Sequence, residues 1–199
     1  MPPACGWCSH QAVWGVRQLA TKTVYANAWM TVREDVVTRP DGTTGVYGVV
    51  DKPDFALVIP RENGGVWLVE QYRYPIGRRA WEFPQGSWAG EARAGADQPS
   101  LALAELREET GFSAENLVHL GHLFGAYGFC SQGFDVFVAT GLVPGHPKRE
   151  DTEQDMVQRF ATDAELTLLI QSGHVVDAAS IAAYALLLWT ESSGTSFTP

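Results

Sequence analysis

Three glutamates, Glu105, Glu108 and Glu109, fall within the stretch AELREETG at residues 104–111. At i, i+3 and i+4 of a helix, all three would crowd one face, and like charges four residues apart destabilise a helix by about 0.2–0.5 kcal/mol. Gly111 reads as the residue just past the helix end, which sets the carboxylates toward the negative end of the dipole, where cations are preferred. The plain interpretation is a solvated face in which Arg107 pairs locally with its neighbours. Two features point further: the repulsion is compressed into a single turn, and the turn is preceded by a Gly-rich, Pro-containing stretch. Clustered carboxylates become favourable when a hard divalent cation sits among them. Mg²⁺ takes oxygen ligands, keeps several waters, and combines one or two carboxylates with substrate phosphates. A cation so held would bridge carboxylate and pyrophosphate, offset charge on a leaving phosphate and acidify a bound water.

The elements that must position these carboxylates are legible around them. VYANAWMTVREDVV and TGVYGVVD flank RPDGT, whose Pro40, Asp41 and Gly42 suit a tight turn, so a hairpin is expected. DFALVIP and VWLVEQYRY form a second hairpin about Asn63-Gly64-Gly65. RRAWEFPQGSWAGEARAGADQP reads as a long loop, and Ser100 as the N-cap of a helix LALAELREET. Strands are expected near 117–124, 133–140 and 155–160. Thr162 and Glu165 make a capping box for a helix ending near Gly173, and a last helix from about Asp177 to Thr190 is apolar enough to be largely buried. The tail ESSGTSFTP reads as frayed. Strands, helix, strands, helices is the order of an α+β sandwich.

The totals are those of a globular chain: 199 residues, 45% hydrophobic and 19% charged, enough for one compact domain with an extension. A net charge of -9, from 14 basic against 23 acidic residues, argues against a protein that holds nucleic acid by neutralising phosphates. An anionic substrate would need local cations or a metal. No apolar run has the length of a membrane span, and MPPACGWCSH lacks a basic segment leading into an apolar core, so the chain reads as cytoplasmic. Cys5, Cys8 and Cys130 are an odd count that suggests no disulfide scaffold. Cys5, Cys8 and His10 have the spacing of half a zinc site, but no second Cys/His pair follows, and free thiols are the better reading.

Taken together, GSWAGEARAGADQPSLALAELREETGF at residues 86–112 resembles the Nudix box, G-x5-E-x7-R-E-U-x-E-E-x-G-U, with matches at Gly86, Glu105, Leu106, Glu108, Glu109, Gly111 and Phe112. LVEQYRYPIG, WEFPQG and DAASIAAYALL resemble the ADP-ribose pyrophosphatase branch of that family. The chain departs from the pattern in three places. Ala104 stands where the box has an arginine that pairs with a glutamate, leaving Arg107 or Arg93 as substitutes. The interval from Gly86 to Glu105 is four residues longer than the pattern, with Glu91 one place early for its first glutamate. Tyr127 stands where ADP-ribose hydrolases often carry proline, and with FPQG in place of PAG it leans toward dinucleoside polyphosphate hydrolases.

The resemblance implies a Nudix-type α/β/α sandwich with a mixed sheet and an N-terminal β-hairpin extension: residues 1–52 as the extension, 53–192 as the hydrolase domain, 193–199 as a flexible tail. It implies Mg²⁺, with Mn²⁺ as a substitute, held by Glu105 and Glu109 with Glu108 sharing the site and Gly86 offering its carbonyl. A base to position water is implied in REDTEQDMVQRF, with Glu153 first and Asp155 and Glu150 behind it. Arg73 is placed against the substrate diphosphate and Glu82 at the substrate pocket; Arg78 and Arg79 are weaker candidates. Trp29 and Trp81 are possible stacking platforms for a base. The substrate implied is a nucleotide-sugar small molecule, ADP-ribose or an ADP-sugar, cut to AMP and a sugar phosphate by a homodimer whose extensions meet. Two alternatives stay open: a dinucleoside polyphosphate or capped-RNA pyrophosphohydrolase, and a non-catalytic nucleotide-binding module.

Overall fold

A computed structural model describes residues 15–88, 97–149 and 153–197. The chain divides into two compact units, Met1–Lys52 with Gly128–Ser131, and Pro53–Tyr127 with Gln132–Pro199.

The first unit is an antiparallel sheet of β1 (Arg17–Ala26), β2 (Thr31–Thr38) and β3 (Thr44–Asp51) in that order. VYANAWMTVREDVV, expected as one strand, is two, because the Asn27 side chain accepts from the amides of Trp29 and Met30 at 2.9 Å and closes a turn. At the RPDGT turn Asp41 accepts from the Thr43 amide at 2.9 Å and hydroxyl at 2.7 Å, and Gly42 takes φ 84°. Those bonds hold the Asp41 carboxyl below its ordinary value, the hydroxyl contributing most. Gly128–Ser131 runs along β3, where Val50 donates to Phe129 and accepts from Ser131. Arg33 bridges Asp35 and Asp51 across the buried side of the sheet.

The second unit is a seven-stranded mixed sheet, order β10-β5-β4-β9-β8, from β4 (Phe55–Glu62), β5 (Gly65–Arg73), β8 (Ser113–Phe124), β9 (Gly133–Val143) and β10 (Val157–Thr162). Asn63 (φ 47°) and Gly64 (φ 70°) make the tight β4–β5 turn with two left-handed residues that a two-residue hairpin needs. β4 and β5 pair only at Arg61–Val66 and Glu62–Gly65, then part. Into the opening run β6 (Arg78–Glu82), on β5, and β7 (Gln85–Gly86), on β4. The stretch expected to be a long loop therefore supplies two strands. Alternation alone could not show them, because Pro84 interrupts the pattern at the crossing.

Helices cover both faces of the sheet, as the α/β/α reading requires. On one, Leu101, Ala102 and Leu106 pack on Ala56, Val58, Phe137 and Ala139; on the other, Leu166, Ala183, Tyr184 and Leu187 pack on Leu57, Ile59, Val136 and Val138. β4 faces both cores, hence its unbroken apolar run. The first helix, α1 (Gln98–Glu105), is capped by Asp97, whose carboxylate accepts from the Ser100 amide at 2.8 Å. Ser100 is thus the capped residue and not the cap. α2 (Asp163–Gln171) starts on the expected Thr162–Glu165 capping box. α3 (Ala178–Ser192) is buried along one stripe only, and Ile181, Leu188 and Trp189 are exposed. Beyond it Phe197 is buried in the larger core, so the tail expected to fray is anchored there. Arg61, nearly buried, ties β4 to both later helices through Asp163 and Glu191.

Candidate active site

After Glu105 the box helix widens into a π-helical turn, Leu106–Thr110, and ends at Gly111 with φ 81°. Such single turns occur preferentially at functional sites. Leu106 points into the core and Arg107 to solvent, which leaves Glu105 and Glu108 half-buried and Glu109 1% exposed. The solvated-face interpretation fails on Glu109. Among the described residues its Oε2 has no hydrogen-bond partner although it is removed from water, an arrangement that costs a folded chain several kcal/mol unless a charge or a proton arrives.

Gly86 on β7 lies directly against Glu105: a Cβ built on it would collide with all three atoms of the Glu105 carboxylate group. The glycine at that place leaves room for the close approach of the acid. Before it, the segment 82–86 is pinned on several sides. Val58 donates to the Pro84 carbonyl at 3.0 Å, and the buried Ser180 hydroxyl accepts from the Phe83 amide at 2.9 Å. Asp177, which also caps α3, accepts from Gln85 Nε2 at 2.9 Å.

Glu82 is buried at the end of β6, where it accepts from Gln71 Nε2 at 2.8 Å and from Arg73 through Nε, at 3.1 Å, and Nη2. Burial pushes the Glu82 carboxyl above its ordinary value, and the Arg73 charge only partly opposes this. On Arg73 burial works to lower the pKa, but Glu82, with help from Glu109 and Asp177, raises it overall. Glu109 is raised well above its ordinary value by burial first, then by the charges of Glu105, Glu153 and Glu82, while Arg73 pulls it down. Five acids, Glu82, Glu105, Glu109, Glu153 and Asp177, and one arginine therefore share a single electrostatic site. With Ala104 in the place of the box arginine, Arg73 supplies part of the compensating charge.

The segment after β9 closes the far side. Lys148 N donates to the Glu108 carbonyl at 2.9 Å, and Arg149 Nε donates to the Glu109 carbonyl at 3.3 Å. Glu153 sits in the following turn, where its carbonyl accepts from Met156 N at 2.9 Å.

Of the residues expected from sequence, Glu82, Gly86, Glu105, Glu108, Glu109, Glu153 and Arg73 belong to this one unit. The juxtaposition of all but Glu108 is carried by Gly86 against Glu105 and by the charges that act on Glu109, and Glu108 joins them as the residue next to Glu109 in the box turn. Arg73 is engaged by Glu82 and is not an open cation. Asp155 is paired with Arg79, which also holds Glu70 at 2.9 Å, and Arg78 donates to the Gly173 carbonyl at 3.3 Å. Trp81 is half-buried and packs against the larger core. Trp29 is 61% exposed in the first unit, on the β1–β2 turn. Glu150, Glu91, Arg93, Cys5, Cys8 and His10 lie outside the described residues, and Cys130 has no disulfide partner among the described ones. Sequence reasoning missed Asp177, Ser180 and Arg149. Asp177 had a signal as the acid ahead of a helix; the other two had none.

Among the described residues no three carboxylate, imidazole or thiol side chains stand as a ready-made metal site. A cation that uses one or two carboxylates and completes its shell with water and phosphate needs no such trio. The unpartnered Glu109 oxygen and the glycine cradle at Glu105 fit that demand.

The fold, the box and the split between β4 and β5 define a Nudix hydrolase, and the chain belongs to the Nudix family: the NUDIX domain matches residues 51–182, and the nucleoside diphosphate sugar hydrolase N-terminal domain matches residues 16–50. Among curated relatives, it is 34% identical to the ADP-ribose pyrophosphatase of Mycobacterium tuberculosis (strain ATCC 25618 / H37Rv) over 82% of this chain and 79% of that one. It is 28% identical to the ADP-ribose pyrophosphatase of Bacillus subtilis (strain 168), over 85% and 90%. It is 30% identical to the methanol dehydrogenase activator of Bacillus methanolicus, over 76% and 78%. The crystal structure of an ADP compounds hydrolase superposes with a TM-score of 0.78 over 90% of this chain and 96% of that one, at 22% identity, a likeness of fold. Among the described residues no helix is long and apolar enough to cross a membrane.

Proposed function

We propose that the chain hydrolyses the pyrophosphate bond of a nucleoside diphosphate linked to another moiety, ADP-ribose or an ADP-sugar, and releases AMP and a sugar phosphate. The observation that carries the reading is Glu109, a buried carboxylate with an oxygen that is unpartnered among the described residues, set among Glu105, Glu153 and Glu82 behind a glycine cradle. The names of the two pyrophosphatase relatives support the substrate class.

Glu105 and Glu109 are the residues to hold Mg²⁺, or Mn²⁺ in its place, with Glu108 sharing the site and the Gly86 carbonyl beside it. A divalent cation there supplies charge neutralisation for the departing phosphate and acidifies coordinated water. Glu153, whose charge reaches Glu109, orients the attacking water and accepts its proton. Asp155 is less suited because Arg79 occupies it. Arg73, fixed by Glu82, which Gln71 also holds, directs a positive field at the diphosphate while Glu82 holds the pocket wall. Trp29, exposed on its turn, offers a face for stacking a base. Every residue of β1 is exposed, and its apolar side chains Leu19, Val24 and Tyr25 support a homodimer built through the extension. The protein acts in the cytoplasm in this reading.

Tyr127, 84% exposed, and Gln85 in FPQG favour a second reading, cleavage of dinucleoside polyphosphates or capped RNA. Product analysis separates the two. With Mg²⁺ the purified protein should release AMP from ADP-ribose, and Glu105→Gln and Glu109→Gln should each abolish it. AMP from diadenosine polyphosphates but none from ADP-ribose would refute the substrate and keep the chemistry. Turnover unchanged in both variants would remove these glutamates from the mechanism.

A further inference from the structure

Arg149 joins the two segments on which the proposed reaction depends. Its Nε donates to the carbonyl of Glu109, and its Nη1 donates to the carbonyl of Met156, three residues past Glu153. Its own carbonyl accepts from Gln154 Nε2 at 2.9 Å, so the chain on either side of the Glu153 turn is tied to one residue. The box turn ends with carbonyls that no further helical amide can satisfy, and a cation at that end is favoured by the helix dipole as well. A guanidinium has the geometry to serve two separate carbonyls at once from a rigid fork; an ammonium is a compact point donor and does this less well. Both of these guanidinium bonds of Arg149 fall on backbone carbonyls. Arg149 thus acts on the backbone that carries Glu109 and Glu153.

We infer that Arg149 is a positioning residue that sets the Glu153 turn against the Glu109 end of the box helix, and so acts on catalysis through Glu153. The inference rests on the reading of Glu153 as the residue that orients water. A static brace would cost stability when removed but would not be specific to the water-attack step. Displacing a catalytic group by about 1 Å costs on the order of 10²-fold in rate. Metal and substrate binding by Glu105, Glu109 and Arg73 should be left nearly intact.

The test is a double-mutant cycle on the full chain, with ADP-ribose turnover and Mn²⁺ binding followed by electron paramagnetic resonance. Arg149→Met should lower kcat by about 30-fold or more, with KM and the Mn²⁺ dissociation constant within about three-fold of the parent. Arg149→Lys, which keeps charge and one donor, should fall between, and it carries the test if Arg149→Met does not fold. In the Glu153→Gln background, adding the Arg149 substitution should change kcat by less than about two-fold, because the group it positions is gone. If Glu153→Gln is impaired and the Arg149 loss multiplies onto it in full, Arg149 does not act through Glu153 and the inference falls alone. If Glu153→Gln turns over normally, the assignment of Glu153 falls, and the inference falls with it. A loss confined to KM or to Mn²⁺ affinity would also overturn it.

Discussion

Gly86→Ala separates activity from stability in a way that the site geometry dictates. The backbone at Gly86 is outside the left-handed region, so alanine is conformationally permitted there. The added Cβ would land on the Glu105 carboxylate, which is the far end of a flexible side chain. Glu105 can swing away at a rotamer cost of about 0.5–1.5 kcal/mol. Replacing glycine where its conformation is permitted stabilises by about 0.4–1 kcal/mol through the unfolded chain. The two effects nearly cancel, leaving a net change within about 1 kcal/mol and a Tm shift of less than about 4 °C for a chain of this size. Activity has no such compensation. The carboxylate proposed to hold the cation would be displaced by about 1 Å, so kcat/KM for ADP-ribose should fall on the order of 10²-fold. Differential scanning calorimetry in EDTA and steady-state turnover with Mg²⁺ read the two effects independently. The reasoning is refuted if turnover stays within about two-fold of the parent, or if Tm falls by more than about 10 °C. Unchanged turnover would mean that the Glu105 carboxylate is not held where Gly86 leaves room for it, and the larger fall in Tm would mean that it cannot swing aside.

Glu109→Gln should stabilise the metal-free protein by about 1–3 kcal/mol, because it removes a buried charge that the acids around it repel and whose Oε2 has no hydrogen-bond partner among the described residues. The Glu109 and Glu82 carboxyls are both held above their ordinary values by burial, so the folded state binds their protons more tightly than the unfolded state does. The metal-free parent should therefore lose stability as pH rises past the ordinary carboxylate range. The variant should lose less, and the gap should widen toward alkaline pH. Thermal melts from pH 5 to 8 in EDTA check this, and a variant less stable than the parent throughout would sink it. Saturating Mg²⁺ at about 100 times its Kd should add about 2.7 kcal/mol to the parent and little to the variant. Far from the site, Arg61→Met leaves Asp163 and Glu191 facing each other without the nearly buried guanidinium between them. It should cost about 3 kcal/mol in urea unfolding and leave the KM for ADP-ribose unchanged.

What could be read in advance divides by distance along the chain. The turns at Pro40-Asp41-Gly42 and Asn63-Gly64, the capping box at Thr162 and the apolar run of β4 depend on neighbouring residues, and each was legible. The misread cap at Ser100 shows the same logic at finer grain. Asp97 and Ser100 are both capping residue types, and only backbone geometry shows which one accepts. β6 and β7 were hidden because they become strands by filling the gap where β4 and β5 part, a property of the sheet that no local pattern encodes. Phe197 sits in a polar, Gly-containing tail whose composition says nothing of the core that receives it.

The sequence by itself determined the chemistry on offer: three glutamates within one turn, a glycine ahead of them, an acidic stretch beyond, and too few cations to neutralise them without help. Whether those glutamates formed a solvated face or a buried site was a question of packing, since spacing along a helix says which residues share a face but not what covers it. The tertiary structure decided it by burying Glu109 and bringing Gly86 onto Glu105. It also gave Arg73 to Glu82, nine residues away across a strand pair, and Arg149 to the Glu109 carbonyl, forty residues away. Such pairings are set by sheet register and chain crossing, whereas helical spacing and turn chemistry are set within a few bonds.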